Sequence, residues 1–162
     1  MKAITLHQPW AELIAWHLKL VETRSWPTSY RGPIAIHAGS AKKPYNDMLR
    51  LVSFSSIPQR QWRSQLAYYY WQYVCSIPLD EVAKKPVEFG CVVAIANLYD
   101  VVPDESIRDT LSPQELAFGN YDDDRYAWLF KDVIPLAAPI PTKGFQRVWN
   151  WAEPQEVKDL YG

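Results

Sequence analysis

The stretch Trp10-Ala11-Glu12-Leu13-Ile14-Ala15-Trp16-His17-Leu18-Lys19-Leu20-Val21-Glu22-Thr23-Arg24-Ser25-Trp26 changes its period halfway along. Trp10, Leu13, Ile14 and Leu18 recur at helical spacing, and Trp16 and His17 fall outside that stripe. Pro9 stands where a first helical residue is favoured, because its missing N–H is not needed there and its φ is preset. A helix of about two turns is predicted. From Val21 to Trp26 the chain reads as a strand, with Val21, Thr23 and Ser25 on one side and Glu22, Arg24 and Trp26 on the other. Pro27 stops it. Lys19 then lies at the mouth of the turn between helix and strand, close to Glu22 and Arg24.

Outward from this stretch, Lys2 to Leu6 alternates as a short strand, and Gly32-Pro33 marks a turn. Ile34, Ile36 and Ala38 define the inward face of another strand, from which Ala35 and His37 point the other way. Residues 41–86 read as an α-helical insertion. Trp62, Leu66, Tyr69, Tyr70, Tyr73, Val74 and Ile77 form a sustained helical stripe there, beside the run Tyr68-Tyr69-Tyr70-Trp71. Gly90 to Val102, rich in Val and Ile, is the strongest strand candidate. Ser112-Pro113-Gln114-Glu115 is a capping box that opens a short helix ending before Gly119. Asp122-Asp123-Asp124 is an acidic turn, and Arg125 to Leu136 is a strand. Pro135, Pro139 and Pro141 restrict the end of that strand and the residues beyond it to extended or edge structure. Lys143-Gly144 turns into a last strand, Phe145 to Trp151. Short strands with interleaved helices predict an α+β domain, a closed or nearly closed mixed β-barrel, because closure removes exposed edges.

Length and composition agree with one domain spanning 1–162. The 162 residues are 48% apolar and 22% charged, which suits a packed core and not a disordered chain. Eight Trp and ten Tyr can fill that core or offer faces for base stacking. A net charge of −1 argues against coating long nucleic acid by charge alone. Residues 1–50, however, carry seven Lys/Arg against three Asp/Glu, enough to place a short strand or one nucleotide locally. Cys75 and Cys91 have no metal-ligand spacing around them, so they read as reduced, packed thiols, and no metal or cofactor is expected. No apolar run approaches transmembrane length and no signal segment precedes Ile4, so a cytoplasmic protein without membrane partners is expected. Nothing in the sequence sets an oligomeric state.

Glu22 and Arg24, two apart on a strand, share a face that Trp26 continues. A carboxylate flanked by two cations beside an aromatic can hold a nucleotide: the cations meet phosphate or carbonyl oxygens, the carboxylate accepts from an amino or ring N–H, and the ring stacks. The same residues also fit an ordinary surface Glu–Arg pair with a flanking Lys, which contributes little to stability.

A resemblance favours the first reading. Gln8-Pro9-Trp10-Ala11-Glu12-Leu13-Ile14, Lys19 through Trp26, and Tyr30-Arg31-Gly32-Pro33-Ile34-Ala35-Ile36-His37-Ala38 resemble an ASCH domain, a branch of the PUA-like superfamily. Its signature is Gly-x-Lys-x-x-Glu-x-Arg. Lys19, Glu22 and Arg24 match the three side-chain positions and His17 replaces the Gly. The likeness continues at Phe89-Gly90-Cys91-Val92-Val93, at Phe118-Gly119 through Arg125-Tyr126-Ala127-Trp128, and at Lys143-Gly144-Phe145-Gln146 with Trp149. It implies a PUA-like barrel whose cleft, floored by the motif, binds RNA or a modified, cytidine-type nucleoside. Lys19, Glu22, Arg24, Trp26, His17, Tyr30, Arg31, His37 and Ser40 are its candidate lining. His17 is expected to keep the left-handed turn that Gly would make and to narrow the entrance.

The resemblance also implies an alternative. A similar bacterial member hydrolyses N4-acetylcytidine with a Lys, a Thr three residues later and a distant Glu, and ribonuclease activity is also ascribed to the family. Here the Thr position is Glu22, and Thr23 points to the opposite face. As a hydrolase, the chain would use Lys19 and Glu22 as its catalytic pair, without a metal. His7 and His37 are further acid/base candidates. Glu115 is a candidate for the distant acid, but its capping-box place already accounts for it. Binding is therefore the leading expectation, and hydrolysis the alternative. A protein-interaction adaptor built on the aromatic helix at 62–77 ranks last.

Overall fold

The computed structural model describes residues 1–47 and 87–161. The helical stripe from Trp62 to Ile77 and Cys75 lie outside the described residues. Of the predicted insertion, residues 43–47 are described and are helical.

Among the described residues, six strands form one mixed sheet: β1 (Lys2–Leu6), β2 (Val21–Arg24), β3 (Gly32–Ala38), β4 (Cys91–Pro103), β5 (Tyr126–Pro141) and β6 (Val148–Asn150). Their order is β2-β5-β4-β3-β1-β6. β1 and β3 run parallel, and every other neighbouring pair is antiparallel. Helices α1 (Trp10–Ala15), α2 (Pro113–Ala117) and α3 (Gln155–Tyr161) flank the sheet, giving an α+β half-barrel. The curl brings the β2 edge towards β1: Arg24 Nη2 donates to Thr5 O at 2.9 Å. No helix among the described residues is long and apolar enough to cross a membrane.

The concave face holds the main core. Ile4, Leu6, Ile34, Ile36, Ala94, Ala96, Leu98, Trp128 and Phe130 pack there against Ala11 and Ile14 of α1. The opposite face carries Ala3, Ala35, Val92, Ile95, Trp149 and Trp151, with Val157 of α3 among them. Full burial of each large apolar side chain stabilises the fold by about 1.5–3 kcal/mol, which explains why strands this short hold a defined register.

The prolines near the end of β5 have a positional reason. β2 pairs only with Tyr126–Leu129 of β5, and beyond that point β5 has β4 on one side alone. Pro135 and Pro141 pair opposite Ala94 and Cys91, so the strand runs further than the predicted Leu136. A residue without N–H costs no ladder bond along a free edge. At the last strand the correction runs the other way. Only Val148–Asn150 is strand, because Arg147, at φ 59°, turns the chain out of the extended region before it reaches β1. Helix α1 begins one residue later than expected, at Trp10. Pro9 is its cap, and its carbonyl already accepts from Leu13 N at 2.9 Å.

The loop between β5 and β6 is fastened to the convex face by His37. Its Nε2 lies 2.8 Å from Thr142 O, so the ring nitrogen donates, and the ring packs edge-on against Trp149 with centroids 5.6 Å apart. Burial lowers its pKa below the usual histidine range. A methyl at Gly144 would overlap the His37 ring at Cε1 and sit 2.8 Å from Thr5 Oγ1. Neither neighbour can retreat, since His37 is enclosed and Thr5 Oγ1 accepts from Trp149 Nε1 at 3.2 Å. Gly144→Ala is expected to cost about 1–3 kcal/mol, read as a lower urea midpoint at unchanged m-value. An unchanged midpoint would mean that the loop is not seated on His37.

Candidate functional site

The turn from α1 into β2 is built by His17. At φ 60° it takes the left-handed conformation that closes a helix, and Leu18 N and Lys19 N both donate to Leu13 O, at 2.9 and 3.1 Å. The turn expected of a glycine is thus made by a histidine, and the His17 side chain is exposed. The sharp reversal sends Lys19 inward.

Lys19 is 0% exposed, so it does not stand at the mouth of the turn. Its ammonium donates to Val21 O and lies 3.8 Å from Glu22 Oε2 and 3.7 Å from Glu115 Oε1. The physical reason is α2. Half of the capping box predicted for Glu115, also a candidate distant acid, forms: Ser112 Oγ accepts from Glu115 N at 3.1 Å. The Glu115 carboxylate turns the other way and accepts from Leu20 N at 3.0 Å and Val21 N at 3.2 Å. Gln114 Nε2 donates to Leu18 O at 2.9 Å, and Trp10 Nε1 to Phe118 O at 2.9 Å. Helix α2 therefore clamps the motif turn and supplies the second carboxylate beside the buried Lys19 ammonium.

Above this layer, Glu22 and Arg24 leave β2 on the concave face, opposite Trp128 and Tyr126 of β5. Their side chains are partly exposed, at 13% and 24%. Arg24 Nε faces Glu22 Oε1 at 3.3 Å. Trp26, just past β2, meets Trp128 edge-on with centroids 4.8 Å apart, and the Arg147 guanidinium lies 5.6 Å from its ring centre. Glu22, Arg24 and Trp26 thus share one face, as their spacing predicts.

The remaining predicted residues are scattered. Tyr30 donates its hydroxyl to Pro33 O and braces the β2–β3 turn. Arg31 donates to Thr28 O and Tyr30 O, both at 2.9 Å, and pairs with Asp100 at 3.2 Å. His37 is 1% exposed and enclosed on the convex face, away from Glu22. Ser40 and His7 are exposed in loops.

Three residues that sequence reasoning did not assign complete the lower layer. Tyr121, 7% exposed, points its hydroxyl at Glu115 Oε1 from 3.5 Å. Burial, then the carboxylates of Glu115, Glu22 and Asp104, push its pKa well above the usual tyrosine range. Arg125 bridges Asn120 O at 3.0 Å and Thr23 O at 3.2 Å. Asp104 is 0% exposed, and among the described residues neither carboxylate oxygen has a hydrogen-bond donor. Burial raises its pKa to about 6, against the pull of Arg125, Arg108 and Lys19. The only sequence signal for this layer is the stretch Phe118-Gly119 through Arg125. A Cβ at Gly119 would meet Tyr121 Cε2 at 2.6 Å, so glycine is what lets the tyrosine ring fold back. Cys91, at the start of β4, is a buried free thiol pushed up to about 11 by burial and the nearby Glu88 and Glu12.

This is a two-layer arrangement. A partly open Glu–Arg–Trp face rests on a base in which Lys19 and Tyr121 are buried and Glu115 is 13% exposed. Among the described residues no group of three or more His, Cys, Asp or Glu is placed to hold a metal ion.

Comparisons with known proteins give the family. The ASCH domain family model matches residues 4–157. The chain is 26% identical over 153 residues to human activating signal cointegrator 1, covering 91% of this chain and 22% of that protein. The mouse protein of the same name is 24% identical over the same shares. The chain therefore spans about a fifth of the length of these relatives. Among solved structures, the ASCH protein of Zymomonas mobilis aligns over 98% of this chain and 92% of its own, at 16% identity and a TM-score of 0.49. A point mutant of that bacterial protein aligns over 98% and 94%, at 17% identity and a TM-score of 0.48.

Proposed function

We propose that this chain, which belongs to the ASCH domain family, binds RNA by seating one nucleotide, of cytidine type, on the concave face at Glu22, Arg24 and Trp26. The observation that supports this reading is the setting of Glu22. Its carboxylate is 13% exposed, with Arg24 Nε at 3.3 Å, Lys19 Nζ at 3.8 Å and the Trp26 ring next along the face. A carboxylate held this way accepts from an exocyclic amino or ring N–H group. The free edge of the guanidinium meets carbonyl or phosphate oxygen, and the indole packs against the base. Lys19 acts from below, as a positioning residue for Glu22.

Glu22→Ala and Arg24→Ala are expected to weaken binding of a short single-stranded RNA, or of cytidine and N4-acetylcytidine, by about ten- to a hundredfold. Titration calorimetry reads this, with circular dichroism to show that the variants remain folded. Wild-type affinity in both variants would remove the assignment.

A hydrolase on the same site is a second reading, favoured by one observation: Glu115 lies 3.7 Å from Lys19 with Tyr121 beside it. Both Glu115 oxygens already accept backbone N–H groups, an arrangement suited to holding Lys19 more than to moving a proton. Incubation with N4-acetylcytidine and with RNA decides it, since absence of product from both would eliminate hydrolysis.

A further inference from the structure

The loop between β5 and β6 is rigidly seated yet presents an aromatic and two cations to solvent. Thr142 N donates to Gly90 O at 3.0 Å, Thr142 O accepts from His37, and Gly144 lies flat on the His37 ring. Phe145 leans edge-on against Trp149 with centroids 5.4 Å apart, but 53% of it stays exposed. Lys143 Nζ sits 5.7 Å from the Phe145 ring centre. Arg147, two residues on, reaches back over Trp26 at 5.6 Å.

Charge supplies the second observation. No Asp or Glu occurs between Asp132 and Glu153, nor between Glu22 and Asp47, so the segments meeting at Trp26 and Arg147 carry only positive charge. Among the described residues neither Lys143 nor Arg147 has an acidic partner, whereas Arg31 and Arg108 are paired with Asp100 and Asp123. Unpaired cations alternating with aromatic faces are what a flexible polyanion with stacking bases requires.

We infer that Phe145–Lys143, with Arg147 beside the cleft, forms a track for the nucleotides flanking the one in the cleft, so that the ligand is an internal or terminal position of a single strand and not a free nucleoside. This rests on the reading of the Glu22–Arg24 face given above. The Phe145–Lys143 step pairs a ring with a cation, a sequence-tolerant contact for one base and one phosphate, and Arg147 adds a second cation.

The test compares cytidine 5′-monophosphate with ten-nucleotide single strands of RNA and of DNA containing one cytidine, by fluorescence anisotropy and calorimetry on the full chain. Phe145→Ala is expected to weaken ten-mer binding by about tenfold while leaving the mononucleotide unchanged. Lys143→Ala/Arg147→Ala is expected to reduce the slope of log affinity against log salt by about 1.4. Tyr99→Ala is the control, because it removes a 48% exposed ring with Lys131 5.5 Å from its centre on the β4–β5 pair. Its ten-mer affinity should match wild type. RNA and DNA ten-mers bound alike would assign the track to the shared backbone and bases, whereas preference for RNA would add a contact to the 2′-hydroxyl. Wild-type ten-mer affinity in Phe145→Ala, with Glu22→Ala still impaired, overturns the track and leaves the cleft standing. An equal loss for mononucleotide and ten-mer also overturns it, since the loop would then belong to the cleft. Failure of wild type to bind any of the three probes overturns both readings.

Discussion

Lys19→Ala is expected to destabilise the fold by about 3–5 kcal/mol, a large share of the total stability of a domain this size. The side chain has no exposed surface and lies between two carboxylates while donating to Val21 O. Removing it leaves Glu22 and Glu115 facing each other with no cation between them, and it opens a cavity where the butyl stem was. Lys19→Met, which retains most of the stem, should recover only the cavity part. Equilibrium urea unfolding of both variants checks this. If Lys19→Ala unfolds at the wild-type midpoint, the lysine is not the support of the motif turn. One consequence is practical: loss of ligand binding in Lys19→Ala cannot be read as loss of a ligand contact, whereas Glu22→Ala and Arg24→Ala, both partly exposed, can.

Asp104→Asn is expected to act in the opposite direction. Its carboxyl is enclosed, has no hydrogen-bond donor among the described residues and is pushed up by burial to about 6. A carboxyl whose folded pKa lies above its unfolded value favours folding while protonated. Its contribution is complete below about pH 4, and it is lost as pH rises through about 6. Asparagine does not titrate. The stability of Asp104→Asn relative to wild type should therefore climb between pH 4 and pH 7, by up to about 3 kcal/mol, and then level off. Denaturation curves at pH 4, 5.5 and 7.5 measure it. Referring the variant to wild type removes the separate contribution of His37, whose lowered pKa opposes folding as pH falls below the usual histidine range. A difference that does not change with pH would mean that the Asp104 carboxyl is solvated. The two buried charges are not equivalent: Lys19 has oxygen partners on several sides, and Asp104 feels only the longer-range pull of Arg125, Arg108 and Lys19.

Much of this protein is legible in local spacing. The change of period after Leu18 predicts α1 and β2, and the alternation along Val21 to Trp26 predicts that Glu22, Arg24 and Trp26 share a face. Residues two apart on a strand leave the backbone in the same direction whatever packs above them. Ser112 caps α2 because a hydroxyl before proline meets the first free N–H groups of a helix. The left-handed turn at residue 17 follows from the geometry of a helix end, and histidine adopts it in place of glycine. Helix α3 is less legible, since Val157 is its one buried residue and leaves no stripe to find.

What only the tertiary structure decides is depth and partnership. Spacing groups Lys19 with Glu22 and Arg24, but it cannot place Lys19 under them, because the residue that draws it inward, Glu115, is 96 positions away in the chain. The capping box accounted for the Glu115 backbone and left its carboxylate free to be claimed by Leu20 N and Val21 N. His37 alternates away from Ile36 as predicted, yet Thr142 and Gly144, which close over it, turn a candidate base into a brace for a loop. Arg147 reaches Trp26 only because the sheet curls. The sequence by itself determines the direction in which each side chain leaves the backbone. Whether that direction ends in water, in a carboxylate pair or under a loop is set by long-range packing, which no local period encodes.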